Sequence, residues 1–186
     1  LRDAGDPEAG AALLQSAADT ARGGVEWRLV RARYLEAIGA ENAAAEWAAI
    51  ADGAPENPVL QKAALAAPSA WSDHGLIGRI VERLQTAAGE DGVSWREAKA
   101  RLLLASDPSE KAAAEATVLL NDVLRTAIPR VQHYTLMATA LERLNNPRGA
   151  AENLEKAIAL DPDSNGLLIE LARLSMIRGE RGRSLE

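Results

Sequence analysis

The sequence repeats itself, and that limits its fold more than any other property. Residues 25–35 and 93–103 align over eleven positions with six identities: Val25/Val93, Trp27/Trp95, Arg28/Arg96, Ala32/Ala100, Arg33/Arg101 and Leu35/Leu103. The offset is 68 residues. A recurring stretch of this kind is a supersecondary unit that cannot bury its apolar face alone and must stack on its neighbours.

The clearest unit runs over 131–162. Tyr134, Met137, Ala138 and Leu141 share one helical face, and Asn145-Asn146-Pro147 breaks that helix. Proline fits the first turn of a helix, where its missing N–H costs nothing. Ala150, Leu154 and Ala157 form the facing stripe of a second helix, which Asp161-Pro162 closes. Trp27, Val30, Tyr34, Ala43, Trp47, Ile50 and Pro55 fall at the same mutual spacings in a second copy.

These residues resemble the tetratricopeptide repeat family, whose unit is a helical hairpin with a 34-residue period. The resemblance implies an all-α protein, a right-handed superhelical solenoid of antiparallel helix hairpins. On that period the chain divides into a partial unit 1–23, units 24–57, 58–91, 92–130 and 131–164, and a partial unit 165–186. Gly5-Asp6-Pro7 reads as a turn into a second helix carrying Leu14 and Ala17. The 58–91 unit is irregular: a short helix from Pro58 to Ala67, stopped by Pro68, then a long one from about Trp71 to Ala88. In 92–130 the second helix spans about Ser109 to Ala127, with Ser109 as its N-cap. Leu168, Leu171, Ala172 and Gly179 give a last first helix, whose partner would start near Arg181. Incomplete end units are expected to expose apolar surface, which favours end-to-end self-association. Two positions depart from the pattern. Arg31 stands where it wants a small residue, and Gly39 falls one residue late for its turn.

Alanine is the commonest residue and phenylalanine is absent. Ala, Leu, Glu and Arg are strong helix formers, and runs of β-branched residues are missing. Arginine outnumbers lysine 17 to 4, the usage expected of a GC-rich bacterial genome. The net charge of −6 argues against nucleic-acid binding. No apolar run reaches the ~20 residues of a membrane span.

Catalytic and metal constellations are missing. There is no cysteine, and the two histidines, His74 and His133, lie 59 residues apart. That removes thiolate and His-dyad metal sites and leaves no base beside a nucleophile. His133 reads as a surface or groove residue, and His74 as part of a turn or cap. Gly23-Gly24 and Gly89-Glu90-Asp91-Gly92 are helix-ending turns without the Lys-Ser/Thr of a phosphate loop. Asp161-Pro162-Asp163-Ser164-Asn165-Gly166 has the acid spacing of a calcium loop but carries proline in second place and lacks the closing glutamate. No cofactor and no enzymatic activity are implied. Trp27, Trp47 and Trp95 take core positions of the hairpins, while Trp71 has no place in the pattern.

What remains is a binding surface. In the family the first helices line a concave groove for an extended peptide or a partner helix. Arg28 and Arg31, and Arg96 and Lys99, are basic pairs in equivalent units, and Lys62 falls midway between Arg28 and Arg96. Such a ladder favours an acidic protein or peptide partner, although Glu26, Glu36 and Glu97 lie nearby. Thr135, Thr139, Ile169 and Arg173 stand on the corresponding wall farther along. The lysine-asparagine cluster with which chaperone-binding members clamp a C-terminal carboxylate is not reproduced. The resemblance therefore implies a protein–protein interaction scaffold, or a regulatory or substrate-docking segment of a larger enzyme or secretion component.

Overall fold

A computed structural model describes residues 7–20, 24–89 and 92–183. Every regular element among them is helical. The chain divides into two compact units, Leu1–Glu90 and Asp91–Glu186.

The first unit holds α1 (Pro7–Thr20), α2 (Val25–Ile38), α3 (Ala43–Gly53), α4 (Pro58–Leu65), a short 3-10 helix (Pro68–Ser72) and α5 (His74–Ala88). Consecutive helices pack on each other, as expected of hairpins joined by short turns. Tyr34 lies so close to α1 that a Cβ at Gly10 would sit 2.2 Å from its hydroxyl. Gly39 ends α2 in the left-handed conformation (φ 67°), where its N–H and that of Ala40 bond the carbonyls of Glu36 and Leu35. Ala43, Trp47 and Ile50 are buried as the repeat pattern requires, Tyr34 is half-buried, and Leu35 beside it is buried. Val30 is not, at 46 % exposure, and Trp27 is only half-buried, against its expected core role. Arg31, at the small-residue position, turns its guanidinium out of the hairpin to Glu46 of α3, 3.5 Å away.

The irregular stretch follows from its prolines. Pro68 cannot continue α4, and the chain makes a 3-10 turn before α5. That helix begins at His74, later than Trp71, because the Asp73 carboxylate caps it by accepting the Leu76 N–H at 2.9 Å. His74 is thus the first helical residue and not the cap. Broken helices free backbone groups, and side chains take them up. The Trp71 indole donates to the Leu65 carbonyl at 2.9 Å, which gives this tryptophan its place. Buried Gln61 donates to the carbonyls of Ala51 and Ala54 at the end of α3. Glu36 accepts from the Trp47 indole, the Ser69 N–H and the Ser69 hydroxyl.

The second unit holds α6 (Val93–Ser106), α7 (Glu110–Thr126), α8 (Val131–Arg143), α9 (Pro147–Leu160) and α10 (Asn165–Arg183). Ser109 caps α7 through the Ala112 N–H, and Asn146 caps α9 through the Gly149 N–H, with Pro147 at its start. Asn145 ends α8 at φ 57°, one position earlier in the motif than Gly39 ends α2. Ala138 and Ala150, at the contact between α8 and α9, are buried with Ala151, Leu154 and Leu174. Arg143 reaches from α8 to the carbonyls of Leu104 and Asp107, satisfying the end of α6. The last helix does not break where a partner helix was expected. α10 continues past Gly179 and Arg181 to Arg183, with Leu168, Ile169 and Met176 exposed. Gly5, Asp6, Gly23, Glu90 and Asp91 lie outside the described residues.

Candidate interaction groove

The side chains proposed to form a basic wall divide by what they touch. Arg31 pairs with Glu46, Lys99 with Glu115 at 2.7 Å, and Arg96 approaches Asp122 to 3.8 Å while lying over the Trp95 ring. In each case the cation sits on the first helix of a hairpin and the carboxylate on the second. These three fasten hairpins together. Arg28 and Lys62 are exposed and make no ion pair among the described residues.

Thr135, Thr139 and Arg173 come together in the second unit. Between α8 and α10 lies an open cleft of about 290 Å³, lined by Thr135, Thr139, Glu142, Gly166, Leu167 and Glu170. Ala138, Leu154 and Leu174 form its floor. The cleft follows from the sequence locally. Thr135, Thr139 and Glu142 recur on one face of α8 at three- and four-residue steps, and Gly166 starts α10 without a side chain. Arg173 spans the two helices. Its guanidinium bonds both oxygens of Glu142 at 2.7 and 2.6 Å and both oxygens of Glu170 at 3.2 Å. This lowers the Glu170 carboxyl below its ordinary range and raises the arginine further above its own. Ile169 is exposed on α10 and does not line the cleft.

A second cleft of the same volume, about 290 Å³, lies in the first unit between α2 and α4. Trp47, Ala37, Ala63, Ala67 and Pro68 line it, with Arg33 and Glu36.

His133 is not a surface residue. It is fully buried, and its neighbours explain why a histidine can be. Its N–H bonds the Arg130 carbonyl at 3.0 Å, and its Nδ1 accepts the Arg130 N–H at 3.2 Å. It thus takes the role that Glu or Gln plays in a capping box. With Nδ1 accepting, the proton belongs on Nε2, which faces Glu97 at 3.2 Å. Arg130 and Gln132 also bond Glu97. The sequence carried a signal for this cluster that the repeat pattern hid: Glu97 aligns with Leu29, an acid where the earlier copy is apolar. A carboxylate at an inward position must find donors.

Among the described residues no cluster of three His, Cys, Asp or Glu side chains could hold a metal ion, and no helix is long and apolar enough to cross a membrane. The tetratricopeptide repeat family model matches residues 131–174, which span α8, α9 and the first half of α10, the three helices that build the cleft. No curated protein matches the chain. The matched repeat is a protein–protein interaction module, and arrays of this all-helical type are typically non-catalytic.

Proposed function

We propose that this protein is an interaction scaffold that holds a peptide or a partner helix in the groove between α8 and α10. The observation that carries the reading is the open cleft itself. It lies on the wall formed by successive first helices, inside the segment that matches the repeat family, and its floor is apolar. An apolar floor with a few polar groups at the rim is the usual composition of a binding cleft. Arg28 on α2 and Lys62 on α4, both exposed, are a separate candidate contact for an acidic stretch of a partner. Binding needs no cofactor and no chemistry in this reading.

The test is site-specific photo-crosslinking in the native host. A photoreactive residue at Thr139, on the groove, is compared with one at Glu155, exposed on α9 and outside it. Protein adducts at position 139 that are absent at 155 are the expected result. Equal adducts at both, or none at 139, would refute the groove.

A further inference from the structure

We infer that the α8–α10 groove selects a partner segment that offers a lysine or arginine side chain, and not an acidic one. The inference rests on the groove reading above and names the chemistry of its occupant.

Two independent observations carry it. The first is the hydrogen-bond inventory. A threonine hydroxyl has one proton to give and two lone pairs. Thr135 gives its proton to the Gln132 carbonyl at 3.1 Å, and Thr139 gives its own to the Thr135 carbonyl at 3.0 Å. What both hydroxyls present to the groove is therefore lone pairs. Glu142 and Glu170, the other polar side chains of the lining, accept only. Arg173, at the edge, spends its Nε and Nη2 on those same carboxylates. No lining side chain has a proton left to offer. To engage these side chains a ligand must bring the donors.

The second observation is charge. Two carboxylates face one guanidinium, which leaves one negative charge at the groove. An acidic segment would be repelled there, and its carboxylate would find no donor among the lining side chains. A lysine or arginine fits on both counts. Its head group supplies donors and the opposite charge, and its methylene stem can lie on Ala138, Leu154 and Leu174, as such stems commonly cover apolar surface.

The experiment selects displayed random dodecapeptides against the whole protein and measures the affinity of the enriched sequences for the parent and three variants. Thr139→Trp fills the groove. Glu142→Gln with Glu170→Gln removes the acceptor charge and frees Arg173. Arg173→Gln does the reverse and leaves two unpaired carboxylates. The expected peptides carry a lysine or arginine, are lost on Thr139→Trp, weaken about fivefold or more on the double glutamine variant, and tighten on Arg173→Gln. Their binding weakens as salt rises. Opposite responses to the two charge changes cannot come from a general loss of structure, which circular dichroism checks for each variant. Peptides lost on Thr139→Trp that lack a basic residue, or that bind the glutamine variant as tightly as the parent, overturn the preference and leave the groove standing. If no enriched peptide is sensitive to Thr139→Trp, the groove and this inference both fall.

Discussion

The two units solve one problem in different ways. In Asp91–Glu186 most helix ends are closed locally, by Ser109 for α7, Asn146 for α9 and a left-handed asparagine after α8, and a single long-range arginine, Arg143, serves the end of α6. Leu1–Glu90 contains a stretch where prolines cut the helices short. There the freed backbone groups are met by side chains from distant parts of the unit. Glu36 reaches Ser69, Gln61 reaches Ala51 and Ala54, and Arg83 reaches Ala51 at 3.1 Å. Buried backbone groups need partners in either case. The difference teaches that helices cut short by proline can be held within their own unit by side-chain-to-backbone bonds.

The sharpest break of this comparison is Trp47→Ala. Trp47 is 3 % exposed and its indole bonds Glu36, so its loss should cost ~3–5 kcal/mol. Hydrogen exchange should show α3 and α5 losing protection while α8 and α9 keep theirs. Equal loss in both sets would contradict two separate units. Next come two changes of about 1–3 kcal/mol each, read by urea denaturation. Gln61→Leu leaves the Ala54 carbonyl without its side-chain donor in the first unit. Glu97→Leu restores the apolar residue of the earlier copy but strips His133 Nε2 of its acceptor in the second. If Glu97→Leu is stabilising, the buried cluster is a burden and not a fastening.

Smaller effects come with pH. Asp52 in the first unit and Glu170 in the second are both held below the ordinary carboxylate range, chiefly by hydrogen bonds from Arg79 and Arg173 respectively. A carboxyl lowered in the folded state contributes stability that is complete above its unfolded value and is lost as pH falls through the folded one. Stability should therefore be insensitive to these groups between about pH 7 and 5 and should decline below about pH 4. Carboxyl-carbon NMR should place both titrations lower than free side chains, and Arg79→Gln should move that of Asp52 alone upward, with Arg83 still holding part of the shift. The smallest effect expected is that of Arg148→Ala. Its pairing with Glu152 is exposed, with 80 % of the arginine side chain open to solvent, and its removal should cost under ~0.5 kcal/mol.

The helices and their order were legible in the sequence because the repeat fixes them twice over, by apolar spacing and by turn residues. Ala138, Ala150, Leu154 and Trp47 could be assigned to the core from spacing alone. Polar partnerships were not legible, since they depend on which helices meet. Arg31, Arg96 and Lys99 read as a binding wall, but a cation on a first helix lies within reach of carboxylates on the second, and those pairs form. His133 read as exposed because nothing nearby in sequence could satisfy it; its partner Glu97 is 36 residues away. Trp71 and Gln61 escaped for the same reason, serving carbonyls that a proline break exposes only after folding. Thr135 and Thr139 were placed on the groove wall, while Glu142, which lines the groove with them and carries its charge, was passed over.

The most direct test of the groove is a nitrogen-15 chemical-shift map of the protein titrated with a selected lysine-bearing peptide. Shifts concentrated at the amides of Thr135, Thr139, Gly166 and Leu167 are the result the structure predicts. Shifts centred on Arg28 and Lys62, or on the outer face of α9 around Glu155, would contradict it.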